Sequence, residues 1–179
     1  IMVTLGTGVG GGIIIDGHAV VGAHGAGGEI GHITVRDDET EACGCGRKGC
    51  LEQYASATGL VRLAKRYFEK NTKNSILTGK EITAKEVFDA AKAGDAIAIG
   101  LVDEVCEILG STLSNIACVV NPEIIVIGGG VSKAGDILLD NIKKHFVETS
   151  FMACRDTKFA LAGLGNDAGM YGCVEMLLD

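Results

Sequence analysis

The sequence predicts one α/β domain, and three observations support this prediction. With 179 residues, the chain is long enough to bury a substantial core. Short runs rich in Ile and Val occur near the start and in the last third of the chain, and long segments with apolar residues at helical spacing accompany them. The 27 glycines gather mostly beside these short runs, which is typical of tight turns at strand ends.

The first part of the chain predicts strands. Ile1 to Leu5 is β-rich, and a glycine-rich loop, Gly6 to Gly12, separates it from a run of three isoleucines. Asp16-Gly17 then signals a hairpin, because both residue types accept the positive φ angles of a two-residue turn. Strands are therefore expected at residues 1–5, 13–15 and 18–21, with another short strand at 32–35.

The rest of the chain predicts alternating helices and strands. A capping box, Thr83-x-x-Glu86, opens one helix, Asp95 caps the next, and Asn121-Pro122 stops that long helix. Helices are expected at 51–56, 58–70, 84–93, 96–120, 135–146 and 168–178, and strands at 123–127 and 158–162. Strands first, then helices, then alternating strands and helices indicate an α/β domain of the ribonuclease-H-like type.

Charge and hydropathy exclude two classes of partner. The net charge is −7 and no basic run exceeds two residues, so this segment is not expected to bind nucleic acid, which requires a basic patch. No run of 18 apolar residues suits a membrane span. Four cysteines that stand singly are expected to be buried free thiols, which fits the reducing cytoplasm. They are Cys106, Cys118, Cys154 and Cys173.

A cluster of metal-ligand residue types lies between residues 28 and 52. The potential ligands are His32, Cys43, Cys45 and Cys50. Three thiols and one imidazole are a set that structural zinc takes, although one residue between Cys43 and Cys45 is not zinc-finger spacing. Three glycines would let the backbone turn toward one ion, namely Gly44, Gly46 and Gly49. The alternative is a group of reduced surface thiols beside an uninvolved histidine.

The glycine-rich loop fits two interpretations. Gly6-x-Gly8-x-x-Gly11 matches the dinucleotide fingerprint, but a β-branched run and a hairpin turn follow where the fingerprint requires a helix. With Thr4 and Thr7 beside it, the loop can present N–H groups and hydroxyls to phosphate oxygens, as an anion nest does. Gly10 belongs to the same candidate set. An ordinary tight hairpin fits equally well.

A second glycine cluster, Gly128-Gly129-Gly130, follows the predicted strand 123–127. In open α/β sheets, ligands gather beyond the carboxyl ends of the strands. Three residues without a Cβ would allow a flat ring to approach the backbone. The alternative is a plain strand-to-helix connection.

The motifs resemble those of a known family. Glu29-Ile-Gly-His32 and Cys43-x-Cys45-Gly46-x-x-Gly49-Cys50-Leu-Glu52 are similar to the signature of the ROK family (repressors, uncharacterised reading frames, kinases), and within it to bacterial glucokinases. The resemblance implies an actin/hexokinase-type fold of two lobes. It also implies that Glu29, His32 and Glu52 bind sugar hydroxyls, whereas composition alone favours solvated carboxylates. The loop at Gly6 would contact ATP phosphates, and Gly128 to Gly130 the adenosine.

The activity that the resemblance implies is transfer of the ATP γ-phosphoryl group to a hexose, with Mg²⁺ neutralising charge and structural zinc in the loop. Glucose, giving glucose 6-phosphate in glycolysis, is the first expectation, and an N-acylmannosamine or fructose the alternative. Because Ile1 already lies in a strand, residues 1–179 are expected to be the C-terminal lobe of a longer, cytoplasmic, homodimeric kinase. The catalytic base would then lie upstream, and this lobe alone would be inactive.

Two rival functions remain open. One is a sugar-responsive ROK transcriptional repressor, which would carry a DNA-binding domain upstream of Ile1. The other is a structural zinc module that binds a protein partner. The intact glycine loop, Gly6 to Gly12, favours a kinase over the repressor.

Overall fold

A four-stranded mixed sheet forms the centre of the protein, whose computed structural model describes residues 1–71 and 74–175. The strands are β1 (Met2–Leu5), β2 (Val9–Gly12), β5 (Ile124–Gly128) and β6 (Lys158–Leu161), in the order β2-β1-β5-β6. β2 is antiparallel to β1, whereas β5 and β6 run parallel to it. A separate two-stranded hairpin consists of β3 (Ile14–Ile15) and β4 (His18–Ala19).

The described residues form six α-helices, and the first five supply most of the core. α4 is the longest, and it packs against α3 and α5. The helices are α1 (Glu52–Ala55), α2 (Ala57–Lys70), α3 (Ala84–Lys92), α4 (Ala96–Val120), α5 (Asp136–Thr149) and α6 (Ala168–Glu175). Short 3₁₀ turns lie at Ile30–His32, Gly130–Ala134, Met152–Cys154 and Gly165–Asp167.

The core joins the sheet to α4 and α5. Val3 and Leu5 of β1 and Ile125 and Ile127 of β5 are buried at alternate positions, as expected for strands with one covered face. The helices approach closely at Gly110, where an added Cβ would lie 2.7 Å from the Ile142 carbonyl oxygen of α5. Each fully buried leucine of this core contributes about 2 kcal/mol of hydrophobic stabilisation.

The predicted loop Gly6–Gly12 is wrong in its second half. Val9 to Gly12 form β2, with Thr4 opposite Gly10 and Val3 opposite Gly11. Glycine lacks intrinsic preference for strands, but here β1 supplies a partner, and the Gly11 backbone approaches the Gly28 carbonyl too closely for any Cβ. Only residues 6–8 remain a turn.

Two further strand predictions need correction. The segments expected at 13–15 and 18–21 pair only with each other, through residues 14–15 and 18–19, and Ile14 and Val21 are largely exposed. The expected strand 32–35 begins with the 3₁₀ turn at Ile30–His32 and makes one isolated bridge, from Thr34 to Cys50. Beyond the 3₁₀ turn, its backbone hydrogen bonds within the described residues go to the segment 49–51, which is too short for a ladder.

The helix predictions agree closely with the structure. The Asp95 carboxylate accepts the N–H groups of Ile97 and Ala98 at 3.0 and 2.9 Å, and Thr83 Oγ1 accepts that of Glu86 at 3.3 Å. The last helix, expected to reach Leu178, is described to Glu175, and residues 176–178 lie outside the described part. Among the described helices, none combines the length and the apolar composition that a membrane crossing requires.

The expectation for the single cysteines is half wrong. Cys106 and Cys154 are buried, but Cys118 and Cys173 are exposed. Cys118 lies on α4 beside Val119, which is 86% exposed, so this end of the helix faces away from the core.

Candidate functional site

The four predicted metal ligands lie together. The ligand atoms of His32, Cys43, Cys45 and Cys50 are all within 4.8 Å of one another. Cys43 Sγ lies 3.8 Å from His32 Nδ1, and Cys45 Sγ lies 3.7 Å from Cys50 Sγ. Sulfurs bonded at about 2.3 Å to one tetrahedral zinc ion stand about 3.8 Å apart. The spacing and the donor set therefore fit a zinc-sized ion.

A tight turn in the backbone brings the sulfurs together. The N–H of Cys43 donates to the Arg47 carbonyl at 2.7 Å, and the N–H of Gly46 donates back to the Cys43 carbonyl at 2.8 Å. Gly46 and Gly49 have φ angles of 82° and 71°, which favour glycine. Gly44 has neither a positive φ nor a close neighbour, so the turn does not require glycine there.

Two of the three thiols have pKa values that are shifted in opposite directions. A hydrogen bond from the Arg47 backbone is the main cause that lowers the pKa of Cys45. Burial, followed by the neighbouring thiols, raises the pKa of Cys50 to about 12. Metal binding requires thiolates, and a divalent cation would offset the cost of a buried Cys50 thiolate.

Glu52 connects this cluster to the glycine turn. It begins α1, and its Oε2 accepts the N–H of Val9 at 3.1 Å while its Oε1 lies 3.7 Å from Cys43 Sγ. Gly8 passes so close to Glu52 Oε2 that a Cβ at this position would overlap with it. One carboxylate therefore contacts both the metal-ligand cluster and the turn 6–8.

The other two predicted sugar-binding residues lie on the 3₁₀ turn beside the cluster. The N–H of His32 donates to the Glu29 carbonyl at 3.2 Å, so Glu29 and His32 share one turn. The Glu29 side chain is exposed, and no group within the described residues hydrogen-bonds its carboxylate. A pocket of about 220 Å³ beside Cys43 is lined by Glu52, but not by Glu29 or His32.

Two N–H groups of the turn 6–8 are open to a ligand. Gly6 donates to the Gly8 carbonyl at 3.0 Å. The start of α2 takes the other carbonyls, since the N–H of Ala57 donates to Gly6 O at 2.8 Å and Thr58 Oγ1 donates to Thr7 O at 2.7 Å. Within the described residues, nothing accepts the N–H of Thr7 or Gly8. Two amides can therefore bind an anion.

A larger cavity of about 570 Å³ opens beside this turn. Of the residues predicted to bind ATP, it contains three, which are Gly6, Thr7 and Gly130. The other predicted residues do not line this cavity. Gly128 is buried beneath Met2, Gly129 packs with φ 83° on the Leu5 backbone, and Thr4, Gly10 and Gly11 belong to the paired strands.

Sequence reasoning missed the cavity wall that α3 provides. Lys85, Phe88 and Lys92 line the cavity from this helix, and Lys133 lines it from the turn after β5. The sequence predicted a helix at 84–93 and no binding residue on it. The available signal was the spacing of Lys85 and Lys92, because residues seven apart lie on one face of a helix.

Sequence reasoning also missed a buried ion-pair network behind the metal-ligand cluster. Glu39 belongs to the crossing segment, residues 36–42, whose acidic and polar composition predicts a surface loop. Its side chain is only 2% exposed and pairs with Arg62 and Arg66 of α2. The signal was the i, i+4 spacing of the two arginines, which places both on one helix face.

Comparison with known proteins relates the chain to one family. A family model described as the ROK family matches residues 1–179. A glucokinase from Halalkalibacterium halodurans is 47% identical over 177 residues, which are 96% of this chain and 54% of that protein. A xylose repressor from Caldicellulosiruptor bescii is 31% identical over 182 residues, which are 99% of this chain and 45% of that protein.

A solved structure shows the same fold. The crystal structure of a ROK family glucokinase from Streptomyces griseus, in complex with glucose and AMPPNP, matches with a TM-score of 0.86 and 36% identity, covering 98% of this chain and 59% of that chain. The chain thus spans about half the length of the relatives it matches. The predicted α/β class is confirmed, and the chain belongs to the ROK family, with the fold of its sugar kinases.

Proposed function

We propose that this chain is part of an enzyme that transfers the γ-phosphoryl group of ATP to a hexose, with glucose 6-phosphate as the product in glycolysis. The observation that carries the proposal is the position of Glu52. Its carboxylate contacts both the metal-ligand cluster and the amide of Val9 beside the turn 6–8. A hydroxyl-binding group beside an anion-binding turn is what phosphoryl transfer to a sugar requires.

The sugar site would consist of Glu29, His32 and Glu52. Carboxylate oxygens accept hydrogen bonds from hydroxyls, and Glu52 Oε1 is the oxygen not bonded to the Val9 amide. His32 directs Nδ1 at the sulfurs, so Nε2 is the ring nitrogen that would meet a hydroxyl. These groups bind hydroxyls that several hexoses share, so an N-acylmannosamine or fructose is the alternative substrate.

A zinc ion is proposed for the cluster of His32, Cys43, Cys45 and Cys50. When bound, it would hold the loop 28–52 in shape and fix the tautomer of the imidazole. The distances between the ligand atoms support this proposal.

ATP is proposed to occupy the 570 Å³ cavity with its phosphates toward the turn 6–8. The free amides of Thr7 and Gly8 would donate to phosphate oxygens, and Lys85, Lys92 and Lys133 would supply positive charge to the cavity. Mg²⁺ bound to the nucleotide would neutralise the charge that develops during transfer.

No catalytic base is assigned within residues 1–179. The relatives are about twice as long as this chain, which supports the proposal that it acts as the C-terminal lobe, with the base in the other lobe. The 179-residue chain alone is expected to bind ligands but not to turn over.

Calorimetry combined with an assay coupled to ADP release tests this function. Glucose should bind saturably to the chain, and Glu52→Gln should weaken this binding about ten-fold or more because a charge-assisted hydrogen bond is lost. Substantial turnover by the isolated chain would refute the two-lobe proposal. Absence of saturable binding of both glucose and an ATP analogue would contradict the kinase proposal itself.

The repressor alternative is supported by the 31% identity to a xylose repressor. A repressor would bind sugar without needing the nucleotide cavity. Saturable binding of an ATP analogue by the chain therefore favours the kinase, and sugar binding without nucleotide binding favours the repressor. A purely structural module that binds a protein partner would bind neither.

The assembly and location are also proposals. Ile99 and Val119 on α4 are largely exposed apolar residues, and we propose that the protein is a homodimer, which light scattering would test. The seven cysteines are all free, which supports the reducing cytoplasm. The net negative charge supports the absence of a nucleic-acid partner for this segment.

A further inference from the structure

We propose that Glu39 is a positioning residue of the proposed metal loop, residues 28–52. Its carboxylate fixes the segment between His32 and Cys43 to α2, and so sets the distance between the histidine ligand and the three sulfurs. The inference rests on the proposed metal site, but it concerns a residue outside the ligand set and outside the family motifs.

The Glu39 carboxylate is surrounded by donors. Its side chain is only 2% exposed. Arg66 grips both oxygens, with Nη1 at 3.1 Å from Oε2 and Nη2 at 3.0 Å from Oε1. Arg62 Nη2 and Tyr54 Oη donate to Oε2 at 2.9 and 2.7 Å. Oε1 also accepts the backbone N–H groups of residues 40 and 41, at 2.9 and 3.0 Å.

This arrangement differs from an ordinary surface ion pair. A charge that is removed from water needs several well-placed partners, and here α1, α2 and the crossing segment all contribute. The fork from Arg66 is the main cause that lowers the pKa of Glu39, so the carboxylate stays charged. A bidentate pair with arginine also fixes direction as well as distance.

The network reaches the metal ligands through Gln53. Arg62 Nη2, which bonds Glu39, also donates to the Gln53 carbonyl at 2.9 Å. The Gln53 side chain accepts the N–H of Cys50 at 3.1 Å and donates to the Glu41 carbonyl at 3.0 Å. The same set of bonds therefore holds the segment that leads into Cys43 and the segment that carries Cys50.

The consequence is preorganisation of the ligand set. Without the Glu39 charge, Arg62 and Arg66 lose their buried shared partner and retain the exposed carboxylate of Glu41, which pairs with both at 3.1 and 2.8 Å. An exposed pair holds its segment less firmly, so the segment before Cys43 can move away from α2. Ligands that must be collected on binding hold a metal less tightly, and partners behind metal ligands typically change affinity by about 10- to 100-fold.

The test compares Co²⁺ and Zn²⁺ affinity of the 179-residue chain with that of Glu39→Gln, which keeps the shape and removes the charge. Competition with a chromophoric chelator gives the dissociation constants, and the Co²⁺ ligand-field spectrum reports the geometry. We expect at least about ten-fold weaker binding of both metals by Glu39→Gln and a smaller loss in Arg66→Lys, which keeps the charge without the fork.

Two controls separate positioning from general destabilisation. Glu123→Gln removes an exposed ion pair with Lys158 and should leave metal affinity within about two-fold. Ile142→Val loosens the core between α4 and α5 and lowers the melting temperature, but should also leave metal affinity unchanged. Unchanged affinity in Glu39→Gln, or an equal loss in Ile142→Val, would overturn the proposal.

Failure of the metal site itself gives a different result. If the unmodified chain binds neither Co²⁺ nor Zn²⁺, the zinc proposal fails, and amide hydrogen exchange then decides on Glu39. Exchange that accelerates at residues 33–43 in Glu39→Gln, and not in Ile142→Val, would support the positioning role. Equal exchange in the two variants would contradict it.

Discussion

The proposed metal loop, residues 28–52, and the proposed nucleotide cavity contrast in how the chain builds them. The four candidate metal ligands lie within 19 residues, and a local turn between Cys43 and Gly46 directs their sulfurs. The cavity collects residues from the turn 6–8, α2, α3 and the turn after β5, which are far apart in the sequence. A motif read locally therefore locates the first site well and the second only in part.

The two regions meet at a single carboxylate. Glu52 follows Cys50 by two residues, yet it bonds the amide of Val9. The proposed sugar and phosphate sites therefore share a structural element, and a substitution in one site should change ligand binding at the other. The predictions below test this separation and this link.

The largest expected effect is loss of the metal. Cys50→Ala removes a fully buried ligand, and Cys43→Ala removes the one beside His32. Elemental analysis should find close to one zinc per unmodified chain and almost none in either variant, because a structural site needs four ligands. Cys118→Ala is the control, since this exposed thiol lies outside the cluster. Metal-free unmodified protein, prepared without chelators, would contradict the ligand assignment.

The link between the regions is tested at Gly8. A Cβ at this position would overlap with the Glu52 carboxylate, so Gly8→Ala should displace Glu52 and weaken glucose binding about ten-fold or more. Gly6→Ala is the matched control, because a Cβ there has no neighbour within 4 Å and should leave glucose binding within about two-fold. Calorimetry measures both. Equal effects of the two substitutions would show that Glu52 does not connect the sites.

The cavity is tested through its lysines. Lys85→Ala and Lys92→Ala should each weaken binding of an ATP analogue about three- to ten-fold, and less at high salt, because partly exposed charges are screened. Glucose binding should not change, since neither residue contacts the metal loop. Lys158→Ala, on the distant β6, should leave both unchanged. A larger effect on glucose binding than on nucleotide binding would contradict the proposal that this cavity binds ATP.

The smallest expected effect concerns pH. Arg66 holds the pKa of Glu39 far below its ordinary value of 4.5. A carboxyl whose pKa is lowered on folding contributes stability above its unfolded pKa and loses it as the pH falls below that value. At pH 7, the melting temperature of the unmodified chain should therefore exceed that of Glu39→Gln. This difference should shrink as the pH falls below about 4.5. A difference that is independent of pH would mean that Glu39 acts only by packing.

Prediction from sequence succeeded where the signal is local. The helix bounds at Thr83, Asp95 and Asn121 follow from capping and stop residues, which act within one turn of the chain. The four candidate metal ligands follow from the close spacing of His32 and three cysteines in the sequence. The strand β2 escaped prediction because its three glycines carry no side-chain pattern, and only the pairing with β1 makes them a strand.

Prediction also failed for groups whose role depends on a distant partner. Glu39 is a charged residue in a polar segment, which by itself predicts exposure to solvent. Its burial follows from ion pairs with Arg62 and Arg66, which are more than 20 residues away in the sequence. The placement of Gly128 and Gly129 against a ligand stays a prediction. In the structure they pack against β1 and leave Gly130 to the cavity.

By itself, the sequence determined the α/β class, the family motifs and the set of residues able to bind a metal, because each depends on the order of residue types over a short stretch. Only the tertiary structure decided which glycines are open to a cavity, that Glu52 contacts the turn 6–8, and that Glu39 is buried among arginines. The physical reason is that exposure and charge pairing depend on distances between segments, and folding sets those distances.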